Sequence, residues 1–153
     1  RDVDVVGRRC AGSVAQHIAT KFLRCGINSH AYSDNHFQMI IGCALKPGDV
    51  VIGVSHSGNS RDVVAALAFA KRNGATTISL TNYGKSPSTK SSVSDIRLYT
   101  TSVETKFRVH GLTSRLAQLA IGDALFTYVS LQREEDAIRN FEKIDQSLTI
   151  KKY

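Results

Sequence analysis

Hydrophobic residues along this chain follow two spacings. Short runs rich in Val and Ile are typical of buried strands, and the longer segments between them repeat apolar residues at helical spacing. The clearest strand is residues 50–54 (VVIGV), a nearly unbroken β-branched run that predicts burial on both faces. The other predicted strands are residues 2–7, 29–33, 76–80 and 96–100. The predicted helices are residues 13–25, 35–45, 60–73 and 112–131, followed by a charged helical tail from Arg133 to about Ser147.

The order of these elements predicts the architecture. Strands and helices alternate along most of the chain, which is typical of a parallel sheet with right-handed crossovers and helices on both faces. We therefore predict one α/β domain over residues 1–153, with three α/β/α layers. If strand one takes its place in a flavodoxin-like order, the order reverses between strands one and three, and a ligand binds beyond their carboxyl ends. The loops there are residues 7–13, here called the first loop, and residues 55–60, here called the serine loop.

The serine loop (SHSGNS) carries the strongest chemical signal. It joins the clearest strand to a helix, whose N-terminus presents unpaired N–H groups and partial positive charge, and phosphate binds readily there. The hydroxyls of Ser55, Ser57 and Ser60 add donors, and Gly58 lets the backbone approach an anion closely. Turn chemistry is the alternative for Ser55 and Ser57, and helix capping is the alternative for Ser60. The sequence G-x-S-x-G of a nucleophile elbow is absent, and so is the full sequence G-x-x-x-x-G-K-S/T of a P-loop, because Ser79 precedes Gly84-Lys85-Ser86 where a P-loop has glycine.

Flanking residues are less specific. The first loop offers backbone N–H groups and the Arg9 guanidinium, which suits phosphate. Thr81 follows the strand at residues 76–80 and is placed to contact a ligand or to form a plain turn. Glu104 follows the fifth strand, where its carboxylate is either a solvated loop acid or a group that accepts sugar hydroxyls or moves a proton. His56 is a candidate acid–base group, although a lone histidine is more often structural.

Composition narrows the class of protein. The hydrophobic fraction of 42% and the charged fraction of 22% are ordinary for a globular domain. No apolar run approaches the roughly 20 residues that cross a bilayer. We therefore expect a cytoplasmic protein without membrane contact. The net charge of +7 comes from scattered basic residues, which indicates a solvated surface, with an anionic ligand or a nucleic-acid-binding neighbour domain as alternatives.

Two further groups of side chains are assigned structural roles. The chain has three cysteines, Cys10, Cys25 and Cys43. Because their number is odd and no two form a CxxC pair, we predict buried structural thiols and neither disulfides nor a metal site. Asp123 shares a predicted helical face with apolar residues, and we interpret it as a buried polar residue with a structural partner.

The motifs resemble those of a known family. Residues 51–64 (VIGVSHSGNSRDVV) resemble the signature of SIS (sugar isomerase) domains, a hydrophobic strand followed by S-x-S-G-x-S/T and a helix. Residues 112–119 (LTSRLAQL) and 122–126 (GDALF) are similar to the last helix of RpiR/MurR-type sugar-responsive transcriptional regulators. The resemblance covers nearly the whole chain. It implies a five-stranded parallel sheet of flavodoxin-like (SIS) topology, dimerisation, and phosphosugar binding by the serine loop.

The resemblance also assigns roles to residues, and it has departures. It implies that Ser55, Ser57 and Ser60 bind the phosphate. SIS enzymes carry a glutamate after the fifth strand that moves a proton between sugar carbons, and Glu104 falls near that place. SIS domains usually show G-x-G-x-S after strand one, whereas this chain has GRRCA, with Arg9 at the second glycine and alanine at the serine. Ser13 comes two residues later.

We therefore predict the phosphosugar-sensing effector-binding domain of an RpiR-type regulator. The alternative is a sugar-phosphate aldose–ketose isomerase that uses Glu104 as its base. Because such regulators begin with a helix-turn-helix domain and this chain begins at Arg1, we expect a C-terminal fragment whose parent binds DNA through that absent domain. The expected partners are a sugar phosphate and further copies of the chain in a homodimer or tetramer, without cofactor or metal. The predicted ligand residues are Ser55, Ser57, Gly58, Asn59, Ser60, Gly7, Arg9, Ser13, Thr81 and Glu104.

Overall fold

A computed structural model describes residues 2–103 and 112–150 of the chain. The strands are β1 Val3–Gly7, β2 Ala31–Tyr32, β3 Val50–Val54, β4 Thr76–Thr81 and β5 Ile96–Tyr99. The helices are α1 Cys10–Arg24, α2 Asn35–Ala44, α3 Arg61–Arg72, α4 Leu112–Gln132 and α5 Glu134–Thr149. A single 3-10 turn at Pro87–Thr89 lies in the polar loop between β4 and β5.

The strands form one parallel sheet of five strands in the order β2-β1-β3-β4-β5. This is the flavodoxin-like order, so the predicted α/β fold is confirmed. Gly7 and Val54 are partners in the β1–β3 register, so the two strands end level with each other. The first loop and the serine loop therefore leave the sheet side by side, at the point where the strand order reverses.

Two hydrophobic clusters cover the two faces of the sheet. Val5 and Ile52 face α1, α4 and α5, while Val6 and Val51 face α2 and α3. Successive residues of β1 and β3 thus enter opposite clusters, which is the burial on both faces that the β-branched run predicts. Among the described residues, no helix has the length and apolar content that a membrane span requires.

The largest difference from the predicted boundaries is at the start of α1. The prediction, which rests on the helical spacing of apolar residues from Val14 onward, places it at Ser13, whereas the helix begins at Cys10. The cap position is Arg9, which has φ 54° and ψ −122° and makes no side-chain capping bond. A turn of the backbone therefore starts this helix, and local sequence carries no capping signal for it.

The cysteines are only partly buried. Cys25 lies in the core, Cys10 is partly exposed and Cys43 is exposed. The prediction of a buried thiol is therefore wrong for Cys43, which lies near the C-terminal end of α2.

Candidate functional site

The serine loop contains hydroxyl groups that accept hydrogen bonds from the backbone and donate none within the described residues. The Oγ atoms of Ser55 and Ser57 accept hydrogen bonds from the backbone N–H groups of Gly58 and Asn59, each at 3.2 Å. Neither hydroxyl donates a hydrogen bond to any other described residue. Ser60 takes the N-cap position of α3 but makes no side-chain capping bond, so the capping alternative does not account for its hydroxyl. The loop thus presents hydroxyl hydrogens beside the N-terminus of a helix.

Gly58 fits the loop against the turn that follows β4. Its φ is 68°, a conformation that glycine adopts without steric cost. Its carbonyl accepts the N–H of Ser88 at 3.1 Å. A Cβ at Gly58 would collide with the side chain of Ser86 and lie 2.8 Å from the Oγ of Ser88. The serine loop therefore packs against, and is hydrogen-bonded to, the polar loop between β4 and β5.

Thr81 also supports the serine loop. Its side chain is buried, and its Oγ1 donates to the carbonyl of His56 at 3.0 Å. The N–H of Asn82 donates to the same carbonyl at 3.0 Å. Thr81 thus positions the loop in this structure, and its direct contact with a ligand stays a prediction.

The side chain of His56 contacts the polar loop between β4 and β5. Its ring meets the ring of Tyr83 edge-on, with 5.7 Å between centroids. Its Nδ1 is buried and has no hydrogen-bond partner within the described residues. The ring therefore packs beside the serine loop, which favours the structural interpretation of this histidine.

The first loop brings α1 close to the end of β1 and contains a strained residue. A Cβ at Gly7 would lie 2.5 Å from the carbonyl oxygen of Ala11, so α1 can begin where it does only beside a glycine. Arg9 is the one non-glycine residue with positive φ in the described ranges. The Oγ of Ser13 donates to the carbonyl of Cys10 at 2.8 Å, inside α1. Ligand binding by Ser13 therefore stays a prediction.

An ion pair joins the first loop to the start of α3. The guanidinium of Arg8 lies 3.0 Å from the carboxylate of Asp62, in the first turn of α3. Arg9 is exposed, and its side chain makes no ion pair or hydrogen bond with the part of the chain that the structure describes. The neighbouring arginines therefore differ in role: Arg8 neutralises Asp62, and Arg9 leaves an exposed positive charge in the first loop. The predicted residue Glu104 lies outside the described residues.

Asp123 lies away from this site. Its carboxylate is 2.8 Å from the Nε2 of His17 and 3.5 Å from the Nζ of Lys21. The hydrogen bond from His17, with help from the charge of Lys21, holds the pKa of Asp123 below its ordinary value. The predicted structural partner is thus present between α1 and α4, but the side chain is half exposed, so the prediction of burial is wrong.

Sequence reasoning missed the contacts that support the two loops. The Arg8–Asp62 pair and the packing of Ser86 and Ser88 behind Gly58 join residues that are distant in sequence. No local motif signals such contacts. The one available signal was the polar, serine-rich composition of the loop between β4 and β5.

Known proteins are similar to this chain in sequence. The SIS domain family model matches residues 1–128. An uncharacterized HTH-type transcriptional regulator of Caldanaerobacter subterraneus is 41% identical, over 98% of this chain and 52% of its own length. The HTH-type transcriptional regulator RpiR of Escherichia coli K12 is 35% identical, over 94% of this chain and 48% of its own length. The chain thus spans about half the length of these curated relatives.

A solved structure shows the same fold. The Vibrio vulnificus NanR protein complexed with ManNAc-6P superposes with a TM-score of 0.88 at 21% identity, covering 98% of this chain and 56% of that chain. The fold, the switch-point loops and the family match agree, and the chain belongs to the SIS domain family, with HTH-type regulators among its relatives.

Proposed function

We propose that this chain is the phosphosugar-sensing effector-binding domain of an RpiR-type transcriptional regulator. The observation that carries the proposal is the set of hydroxyl hydrogens in the serine loop. Ser55 and Ser57 accept backbone N–H groups and retain their own hydrogens, which a phosphate oxygen can accept. The N-terminus of α3 adds further N–H groups and partial positive charge at the same place.

The comparisons support this proposal. The E. coli relative is a transcriptional regulator, and the NanR protein was solved with ManNAc-6P, an N-acetylated sugar phosphate. A sensor functions when its effector binds two conformations with different affinity, so tight binding without turnover is sufficient. DNA binding would then belong to a helix-turn-helix domain of the parent protein.

The binding role of the serine loop is tested with Ser57→Ala. We expect calorimetric titration with sugar phosphates to show affinity lowered by about 1–3 kcal/mol, the usual loss when a charged partner lacks one donor. Ser147→Ala is the matched control, because the Ser147 hydroxyl is exposed on α5 and donates only to Lys143. Equal affinity in wild type and Ser57→Ala contradicts the proposed site.

The isomerase alternative predicts chemistry that a sensor lacks. An isomerase removes the proton from the carbon next to the carbonyl group, and solvent deuterium then replaces it. We expect no such exchange when the chain is incubated with hexose and pentose phosphates in deuterated water. Exchange that disappears in Glu104→Gln would support the enzyme in place of the sensor.

We also propose that the chain assembles with copies of itself. Helix α4 exposes a stripe of apolar side chains, here called the α4 stripe, in which Leu116, Tyr128 and Leu131 are 62%, 64% and 65% exposed. Ala120 and Ala124 lie on the same face and are also exposed. Contiguous apolar surface of this kind favours an interface. A second copy in a homodimer, or further copies in a tetramer, would cover it.

A further inference from the structure

We propose that Arg9 makes the site selective for sugar phosphates that carry a second anionic group. This inference rests on the proposed function, and it names the class of ligand. The class comprises phosphorylated sugar acids and sugar bisphosphates. The serine loop would hold the phosphate, and Arg9 would pair with the second anion.

The first observation is the backbone of Arg9. Its φ of 54° and ψ of −122° lie in a region that residues with a Cβ rarely occupy. Glycine would occupy it without steric cost. Residues held in such conformations persist where the surrounding structure constrains them, and they cluster at ligand sites. A side chain at this position therefore calls for a function that glycine cannot provide.

The second observation is the difference in pairing between Arg8 and Arg9. Arg8 lies 3.0 Å from Asp62, so this carboxylate in the first turn of α3 is already neutralised. Arg9 is exposed and has no ion-pair partner in the described ranges. Within the described residues, the site thus has the Arg9 guanidinium, without an ion-pair partner, in addition to its neutral donors.

The third observation is the position of Arg9 relative to the serine loop. The phosphate donors lie after β3, whereas Arg9 follows β1, the neighbouring strand, whose end is level with that of β3. Neighbouring parallel strands are about 4.8 Å apart, so Arg9, two residues past the end of β1, lies at the same edge of the sheet as the serine loop. A guanidinium pairs bidentately with a carboxylate or a phosphate. Arg9 would therefore pair with an anion on the part of the ligand that extends from the bound phosphate.

The test uses two ligands that differ only at the end remote from the phosphate. The 6-phosphates of glucitol and gluconate are both open chains, and they end in a neutral alcohol and a carboxylate, respectively. We expect the wild-type chain to bind the gluconate phosphate more tightly. In Arg9→Ala and Arg9→Gly, its affinity should fall about tenfold to hundredfold, the range for a charge-assisted hydrogen bond. The affinity of the glucitol phosphate should change less than about twofold, because its phosphate contacts remain.

Three variants separate charge from structure. Arg9→Ala keeps the strained backbone position and removes the charge, whereas Arg9→Gly removes both. The two should lose the same affinity, and melting curves establish that both are folded. Arg97→Gln removes one positive charge from exposed β5, at the far side of the sheet, and should leave the preference unchanged.

The outcomes distinguish this inference from the proposed function. Equal losses for both ligands would place Arg9 on the phosphate and overturn the inference. A wild-type chain that binds both ligands equally, or prefers the glucitol phosphate, also overturns it and leaves the proposed function standing. If the wild type binds neither these two nor any other sugar phosphate or bisphosphate, the proposed function fails, and the inference fails with it.

Discussion

At the scale of single residues, two positions with positive φ lie in the two loops of the candidate site. One is Gly58, where glycine meets a conformational requirement and leaves room for the side chain of Ser86. The other is Arg9, where a side chain is kept in a conformation that favours glycine. The two positions therefore predict opposite effects of substitution.

Arg9→Gly should stabilise the fold. Relief of the strained backbone contributes about 1–3 kcal/mol, and the greater freedom of glycine in the unfolded chain offsets about 0.4–1 kcal/mol of it. A net gain of about 1 kcal/mol corresponds to a rise in melting temperature of about 2–4 °C for a domain of this size. Thermal unfolding measures it. Arg8→Gly is the control, because φ of Arg8 is not positive, and its melting temperature should fall. A melting temperature of Arg9→Gly below that of wild type contradicts the strain argument.

Gly58→Ala should destabilise the protein and weaken phosphosugar binding. The new Cβ meets Ser86, and φ at this residue is 68°. Conformational cost and crowding together should lower the free energy of unfolding by about 2–4 kcal/mol, measured by urea denaturation. Gly84→Ala is the matched control, since its Cβ would make only ordinary contact, 3.8 Å from the Cε1 of Tyr99. Similar stability of the two variants would show that the serine loop tolerates a different path.

At the scale of elements, the molecule depends on close approach of helices and on one buried carboxylate in the sheet. Helix α2 meets α3 at Gly42, where a Cβ would lie 2.7 Å from the carbonyl oxygen of Ala66. One turn earlier on the same face of α2, the buried Gln38 donates to the carbonyls of Gly7 and Tyr32 at 3.2 and 2.9 Å. This one buried face therefore contacts both α3 and the carboxyl ends of β1 and β2.

Gly42→Ala should push α2 away from α3. Alanine favours helix by up to about 1 kcal/mol over glycine, but the atoms that its Cβ meets belong to backbone, which cannot rotate away. Crowding of this kind costs about 1–3 kcal/mol, so a net loss of stability is expected in chemical denaturation. A variant more stable than wild type would mean that the two helices separate at little cost.

Asp4 gives the fold a pH dependence. It lies on β1, buried, with an Oδ1 that has no hydrogen-bond partner among the described residues and is 3.7 Å from the Nδ1 of His30. Burial raises the pKa of Asp4 above its ordinary 3.8, against the opposing effect of His30. The folded state therefore binds this proton more tightly than the unfolded state, and the group's favourable contribution is lost as pH rises through the folded pKa.

Asp4→Asn tests this linkage. The variant should be more stable than wild type at about pH 8, where the wild-type carboxylate is ionised, and the difference should shrink toward about pH 4. Urea denaturation across this range measures it. Asp34→Asn is the comparison, because the exposed Asp34 carboxylate caps α2 through the N–H groups of His36 and Phe37. A gain for Asp4→Asn that grows as pH falls would contradict the assignment.

At the scale of the whole molecule, helix α4 has apolar residues on more than one side. One side packs on α1, where a Cβ at Gly122 would lie 2.6 Å from the Cγ1 of Ile18. The α4 stripe faces outward. A helix that is apolar all round is typical of a buried position, and the described part of one chain covers only one side of it.

Sedimentation at micromolar concentration should therefore show a species of at least twice the 16.7 kDa of the chain. Leu131→Glu places a charge in the α4 stripe at a position that is already exposed, so the fold should persist while the assembly dissociates. Leu148→Glu, on exposed α5 and outside the stripe, is the control. A wild-type chain that sediments only as a monomer contradicts the proposed dimer.

Local sequence patterns were sufficient to predict the layers of the fold and to locate the candidate site. The strand at residues 50–54 has its predicted bounds, and α3, at Arg61–Arg72, differs by one residue at each end from its prediction. Burial dictates the hydrophobic period of each element, so the pattern carries this information locally. The serine loop was also recognisable from local sequence, because its hydroxyls, its glycine and the helix that follows are contiguous in the chain.

The contacts that surround the serine loop, in contrast, depend on residues that are distant in sequence. The Arg8–Asp62 pair joins residues 54 positions apart, and Thr81 reaches back 25 positions to the carbonyl of His56. The start of α1 at Cys10 depends on the backbone of Arg9, which no capping residue signals. These features arise where separate segments meet beyond the sheet. Hydrophobic period records which face of a segment is buried, but the partner of each polar group depends on how the whole chain is folded.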